Sequence, residues 1–305
     1  MLRSTPRLVK QTTNTISQSE IAHFSRLSQH WWDPTGEFAL LHRMNPTRIQ
    51  FMRERLLQHR ELEPANWLKG KQVLDVGCGG GIFAESLARL GAQTLAIDAS
   101  PSNISVAQTH AARDPGLNLV NSSIPRPAAL EHASTRLPTT TTTTTRKTQL
   151  DDQAVVPSTL EYRHCAAEDL VEQGNQYDIV CAMEVIEHVE DPRGFLECLM
   201  QLTKPGGHLL LSTISRTPLA KLLTITLAES VLGLVSPSTH TYSKYLKPSE
   251  LEHFLTREKG WGKMEKRGCV YDPVASRWRL LDEGQFGGWG ELVNYFAGVR
   301  KPLDA

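Results

Sequence analysis

From residue 71 onward the hydrophobic positions follow two alternating patterns. Short unbroken apolar runs suit strands buried on both faces, and stretches whose apolar residues return every three or four positions suit amphipathic helices. Val73 to Val76 is the first such run and predicts a strand at 72–76; Ile82, Phe83, Leu87 and Leu90 then recur at helical spacing and predict a helix at 81–90. The pairing repeats with a strand at 93–98 and a helix from about Ser102 to Ala112. Further strands are predicted at 160–164, at 177–183 (YDIVCAM) and at 208–214 (HLLLSTI), the last entered through a turn at Gly206-Gly207. Asp191-Pro192 starts a helix reaching about Leu202, Pro248-Ser249-Glu250 starts another near 248–258, and late strands fall at 264–271 and 292–300. Alternation of this kind predicts an α/β fold with a mostly parallel central sheet and helices on both faces.

Three segments break the pattern. Residues 20–60 look helical and precede the first strand, and Ser17 with Glu20 has the spacing of a capping box. Trp31, Trp32, Phe38, Leu40 and Leu41 are hidden only if this segment folds over the main domain. Arg43, Arg53 and Arg55 are expected on solvated helix faces. Arg48 stands apart, because it follows Asn45-Pro46, a helix-start signal that fixes its position. A guanidinium there would clamp a ligand carboxylate bidentately. Residues 113–158 are rich in proline and threonine, with seven threonines in a row, and read as a disordered surface insertion. Residues 216–236 form an apolar stretch interrupted by Lys221 and Glu229. It is too polar to span a bilayer; it would lie on one, roof a greasy pocket, or be the buried helix of an inserted cap.

Composition adds exclusions. Hydrophobic content of 40% and charged content of 22% are ordinary for a core-forming protein, and 33 basic residues balance 33 acidic ones. Nothing in that balance suggests a nucleic-acid groove. The five cysteines are scattered, odd in number and form no Cys-x-x-Cys, which argues against a disulfide framework and for a reducing compartment. No apolar run reaches the ~18 residues that a spanning helix needs. Residues 1–19 carry Arg3, Arg7 and Lys10, many hydroxyl residues and no acid. That composition suits a mitochondrial transit peptide, although Pro6 weakens an amphipathic helix and a plain basic tail has the same composition. Residues 20–305 then make a single domain.

The chemistry gathers at predicted strand ends. KQVLDVGCGGG, residues 71–81, is a strand, a tight glycine turn and a helix start, the arrangement that brings backbone N–H groups close to a ligand. A dinucleotide fingerprint requires glycine five places after Gly77, where Ile82 stands, and no Gly-Lys-Ser/Thr follows to make a P-loop. What remains is Asp-x-Gly-x-Gly-x-Gly from Asp75, through Gly77 and Gly79, to Gly81, which resembles the first motif of Rossmann-like methyltransferases that use S-adenosylmethionine. Asp98 ends the second strand, 21 residues after Gly77, where a carboxylate meets ribose hydroxyls in such folds; the alternative is a turn aspartate before Ser100-Pro101. Glu168 or Asp169 would accept from an adenine amino group or cap a helix. Met183 ends the strand 177–183, and Glu184, Glu187 and His188 follow it. On a helix, positions i, i+3 and i+4 share a face, so the three would make a cation site. Carboxylate oxygen suits Mg²⁺, and the histidine would also suit Mn²⁺ or Zn²⁺. The alternative is a pair of solvated carboxylates at a strand-to-helix junction, with His188 as a general base if no metal binds.

Taken together, LDVGCGGGIF, HWWD, the Asn-Pro-x-Arg around Arg48, EVIEHV, THTYSKYLKPSEL at 239–251 and the closing VNYFAGVRK resemble the ubiquinone-biosynthesis O-methyltransferases of mitochondria and their bacterial counterparts. The resemblance covers about residues 20–300 apart from the 113–158 insertion. It implies a seven-stranded class I methyltransferase sheet with an N-terminal helical segment. It implies S-adenosylmethionine contacts at Arg48, Gly77, Gly79, Asp98 and Met183, with Mg²⁺ held by Glu184, Glu187 and His188. It also implies a polyprenylated catechol as substrate, a mitochondrial location at the matrix face of the inner membrane, peripheral membrane contact, and membership of a multi-enzyme ubiquinone-biosynthesis complex. Two other readings are a different small-molecule methyltransferase, separated by an acceptor screen, and a non-catalytic methyltransferase-like subunit, separated by cofactor binding.

Overall fold

The computed structural model describes residues 15–57, 67–122, 124, 157–217, 245–281 and 293–304. Two helices come first: α1 (Gln18–Leu27) and, after a 3₁₀ turn at Ser28–His30, α2 (Ala39–Leu57). The alternating region follows with β1 (Gln72–Val76), α3 (Ile82–Arg89), β2 (Gln93–Asp98), α4 (Pro101–Ala111), β3 (Leu119–Val120) and β4 (Thr159–His164). It continues with α5 (Ala167–Glu172), β5 (Tyr177–Met183), α6 (Pro192–Leu202) and β6 (Thr203–Ile214). The last part holds α7 (Pro248–Glu252), β7 (Glu265–Asp272), β8 (Arg277–Leu280) and β9 (Asn294–Arg300).

The strands form one sheet in the order β3-β4-β2-β1-β5-β6-β9-β7-β8. Every pair from β3 to β6 is parallel, and β9, β7 and β8 pair antiparallel. The expected seven strands are therefore present, and each edge carries one short extra strand. β3 has two residues, set against Leu160 and Glu161. β8 returns from β7 as a hairpin, with Cys269 facing Leu280.

Alternate residues of the central strands enter opposite cores. Val73, Ile179, Cys181 and Leu210 meet Phe51, Met52 and Leu56 of α2 and Phe83 and Leu87 of α3. Leu74, Val180, Ala182, Leu209 and Leu211 meet Leu170 of α5, Phe195 and Leu199 of α6, and Leu251 of α7. Two-sided burial is why these strands read as unbroken apolar runs.

Several local expectations are corrected. α2 runs through Pro46 instead of starting there. Asn45 donates to the Ile82 carbonyl and Ser86 Oγ, and buried Met44, Phe51 and Met52 secure the helix on both sides of the proline. That packing outweighs the backbone bond lost at Pro46. Arg55, expected in solvent, is buried and paired with Glu265 at 3.0 Å. The strand expected from His208 begins at Thr203, and its register shifts opposite Tyr177 to Ile179. Gly206-Gly207 lies within β6: a Cβ on Gly207 would stand 2.8 Å from the Asp178 carbonyl, so only glycine lets the two backbones approach. The helix near 248–258 is α7 followed by one π-helical turn at His253–Glu258. The segments 1–14, 125–156 and 218–244, which hold most of the expected transit peptide, insertion and apolar cap, lie outside the described residues.

Candidate active site

Ligands of an open α/β sheet sit beyond the carboxyl ends of its parallel strands. Here that position holds a cavity of about 550 Å³, lined by residues of the β1, β2 and β5 ends and by α1, Trp31, Phe38 and Arg48 of the N-terminal segment.

The glycine loop forms part of its wall. Gly77, Gly79 and Gly81 have φ values of 71°, 53° and 89°, in the left-handed region that costs a side chain least when there is none. The turn is also crowded: a Cβ on Gly77 would lie 2.6 Å from a Val185 methyl, and one on Gly79 would overlap the Trp31 indole. The amides of Gly77 and Cys78 donate to the Ile97 carbonyl, at 2.8 and 3.0 Å, which ties the loop to β2. Asp98 accepts from the Gly79 amide at 2.9 Å through Oδ2, and from Ser100 N and Asn103 Nδ2 through Oδ1. Burial pushes its carboxyl upward against those N–H donors.

Beside the loop stand a buried cation and a buried acid. Arg48 is 5% exposed, and its Nε finds no hydrogen-bond partner among the described residues. Burial pulls its guanidinium below the ordinary range, opposed by the charges of Glu184 and Asp75. Asp75 is also buried, with Oδ2 unpartnered among the described residues; burial raises its carboxyl to about 7, opposed by Arg48. Unsatisfied buried donors and acceptors of this kind are costly, and a ligand that satisfies both recovers that cost.

The segment after β5 lines the cavity as well. Met183 closes the strand and lines the cavity. Glu184 then adopts φ 58°, held by its amide on Ser212, a strained setting that turns the chain out of the sheet. Residues Ile186–His188 form a 3₁₀ turn, not the α-helix that was expected to stack Glu184, Glu187 and His188 on one face. Glu187 and His188 consequently have separate neighbours. Glu187, fully buried, accepts from Thr213 Oγ1 at 2.8 Å, and His188 Nδ1 bonds Glu20 Oε2 at 3.1 Å. Burial raises the Glu187 carboxyl to about 7, reinforced by the nearby Glu184 charge. Burial pulls the His188 imidazole down, yet Glu20, Glu187 and Glu184 outweigh it, so the net shift is upward.

A magnesium ion can be tested against this donor set. Among the described residues no three His, Cys, Asp or Glu side chains gather as a preformed metal cluster. The two carboxylates still fit, since Mg²⁺ is usually held by one or two carboxylates with water and substrate oxygens completing the shell. His188 Nδ1 faces Glu20.

Asp75 and Glu187 also set a pH dependence. Each keeps its proton in the folded chain to about pH 7, whereas the unfolded chain loses it in the ordinary carboxylate range. The native state binds more protons between those limits, so stability falls as pH rises through the window. Asp75→Asn is expected to flatten that fall by more than about 1 kcal/mol. Urea melts of the ligand-free protein at pH 5 and pH 7.5 measure it; an unaltered difference would refute Asp75 as a source.

A methyltransferase-domain family model matches residues 47–261. The mitochondrial ubiquinone biosynthesis O-methyltransferase of Schizosaccharomyces pombe is 41% identical over 302 residues, covering 98% of this chain and 91% of that protein. The ubiquinone biosynthesis O-methyltransferase of Dinoroseobacter shibae is 36% identical, covering 95% of this chain and 98% of its own length. The chain belongs to the ubiquinone biosynthesis O-methyltransferase family. Solved structures show the same fold at low identity: the magnesium protoporphyrin IX methyltransferase of Synechocystis PCC 6803 with bound SAH matches at TM-score 0.52, 17% identity and coverage of 92% and 94%. A methyltransferase of Thermotoga maritima matches at TM-score 0.53, 14% identity and coverage of 92% and 99%.

Within this family member, the sequence-predicted residues Arg48, Gly77, Gly79, Asp98, Met183, Glu184, Glu187 and His188 all line the one cavity. Of the adenine candidates, Asp169 caps α5 by accepting from Ala166 N, and Glu168 accepts from Thr15 N at the cavity wall. Two contributors escaped the sequence. Asp75 was legible in principle, as the acid that opens the glycine motif. Glu20 was not: its capping-box spacing pointed elsewhere, and Ser17 makes no side-chain cap.

Proposed function

We propose that the chain transfers the methyl group of S-adenosylmethionine to a catechol hydroxyl of 3,4-dihydroxy-5-polyprenylbenzoate, and later of demethylubiquinol, in ubiquinone biosynthesis. The observation that carries this reading is the single cavity that gathers these groups. Arg48 and Asp75, each with one buried polar atom lacking a partner among the described residues, share it with the glycine loop, a histidine and two acids, and apolar side chains such as Phe24, Val189, Phe195 and Trp278 lie around them.

Arg48 takes the cofactor carboxylate through its unpartnered Nε, and Asp75 takes the cofactor ammonium. Asp98 accepts from the ribose, whose approach the bare glycine backbone permits. A sulfonium methyl is already activated, so the site must align it with the acceptor oxygen and remove one proton. A phenolic hydroxyl titrates near pH 10, so at neutral pH a base must assist. Glu184, Glu187 and His188 would hold Mg²⁺, which when bound supplies Lewis-acid polarisation of the catechol oxygens. Without a metal, His188 is the group that removes that proton.

The apolar lining supports a polyprenylated acceptor, and the basic residues 1–19 support import into mitochondria, with action at the matrix face of the inner membrane. Among the described residues no helix is long and apolar enough to cross a membrane. Residues 216–236 are the proposed peripheral contact, and a multi-enzyme ubiquinone-biosynthesis complex the proposed partner.

The test is methyl transfer from labelled cofactor to a prenylated dihydroxybenzoate. Wild-type protein is expected to label it and not polar amine or carboxylate acceptors. Chelation is expected to lower turnover at least about tenfold, with Mg²⁺ restoring it. Glu184→Ala with Glu187→Ala is expected to reproduce the chelated rate with cofactor binding retained. Unchanged turnover in the chelated protein would sink the metal part alone.

A further inference from the structure

Thr15 stands just ahead of α1, where a chain is loosely held unless something ties it down. Here it is tied. Thr15 is 2% exposed, and its backbone is bonded on two sides. Its amide donates to Glu168 Oε1 at 2.9 Å, 153 residues along the chain, and its carbonyl accepts from the Glu190 amide at 2.9 Å. Ser17, which leads into α1, is buried as well. Residues 15–17 therefore run as a strap from the α5 start to α1.

The sheet order says what passes beneath the strap. β1, β2 and β4 are successive neighbours, and Asp98 is level with His164 in the β2–β4 register. A ligand that begins at the loop after β1 and gives its ribose to Asp98 carries its base onward to the turn after β4. The cavity there is lined by Ile16, Ser17, Ile21, Ala99, Ala166 and Glu168. Four of these are apolar, as the faces of a flat base require. Glu168 is the acid among them, and it is buried. A carboxylate has two oxygens, so the bond from Thr15 to Oε1 fixes how the group lies and leaves acceptor capacity on the other. A buried carboxylate is a costly way merely to anchor a chain. A donor that arrives with the ligand accounts for it.

We infer that residues 15–17 form a wall of the adenosine pocket, and that the Thr15 amide positions Glu168 to accept a hydrogen bond from the amino group of the cofactor's adenine. This rests on the S-adenosylmethionine reading given above. Thr15 is the positioning residue, and it acts through its backbone. Processing of the basic leader must then leave Thr15 on the chain, a shorter cut than the residues 1–19 that composition suggests.

The experiment measures, by calorimetry on the full chain, affinity for S-adenosylhomocysteine and for S-inosylhomocysteine, in which a carbonyl oxygen replaces the adenine amino group. Wild-type protein is expected to prefer the adenine form by at least about tenfold, because the analogue turns an acceptor toward Glu168. Glu168→Ala is expected to bring the two affinities within about threefold of each other. Thr15→Pro should lose more of the preference than Thr15→Ala, since only proline removes the N–H, and added to Glu168→Ala it should change the ratio no further. The ratio is the readout because a merely structural loss weakens both ligands alike. If proline at 15 impairs folding, hydrogen exchange of the Thr15 amide takes its place, with protection expected in wild type and lost in Glu168→Ala. The inference is overturned by a smaller wild-type preference, by a preference that survives in Glu168→Ala, by Thr15→Pro no worse than Thr15→Ala, by equal weakening of both ligands, or by equal exchange of the Thr15 amide in the two proteins. It is also overturned if protein recovered from mitochondria begins beyond residue 15; a first residue at or before 15 is expected. No binding of S-adenosylhomocysteine to wild type would instead overturn the cofactor reading, and this inference with it.

Discussion

Arg48→Ala is expected to weaken S-adenosylmethionine binding by about 2–5 kcal/mol, a loss of roughly 30-fold to several thousand-fold in affinity. The size follows from what is left behind. The guanidinium is buried, and its Nε is free among the described residues for the cofactor carboxylate. Asp75, Glu184 and Glu187 all bear on it electrostatically. Removing that cation leaves those acids without it, with a bound carboxylate added. Arg48→Lys should recover only part of the loss, since an ammonium keeps the charge but not the planar fork. Titration calorimetry with the cofactor measures all three proteins; affinity within about threefold of wild type in Arg48→Ala would refute the carboxylate role.

His188→Ala should act on the other half of the reaction. Loss of a general base costs typically 10²- to 10⁴-fold in rate, so kcat is expected to fall by about that much. Cofactor affinity should stay near wild type, because the described contacts of Asp98 and the glycine loop do not include the histidine. The pair of variants thus separates binding from chemistry: one raises Kd, the other lowers kcat. A fall in kcat of less than about fivefold would show that the acceptor proton leaves by another route.

The central architecture was open to reading because β1, β2, β5 and β6 are buried on both faces and so show as apolar runs. The edges were not. β3 has two residues and β8 four, too short for any period to show, and both exist only by pairing with a longer neighbour. Local signals also misled where distant contacts prevailed. Asn45-Pro46 has the chemistry of a helix start, yet Asn45 spends its amide on α3 and the helix continues. Arg55 looks like a surface cation until Glu265, from β7, is placed against it. The loop after β1 was legible because its residues follow a fixed spacing around Gly77 and Asp98. The residues expected after β5 line the same cavity, but their arrangement was not legible, because the left-handed turn at Glu184 and the reach of Glu20 depend on partners far along the chain.

The tryptophans of the N-terminal segment give the protein an optical signal of its own. Trp31 stacks on Phe38, with centroids 3.8 Å apart, directly over Gly79 and Gly80; Trp32 stacks on His110 at 3.3 Å. Both indoles therefore sit within contact distance of the loop that would receive the methyl donor. Their emission, quenched or shifted by a neighbouring sulfonium and adenine, would report each arrival and departure of the cofactor in real time, without a dye or a coupled assay.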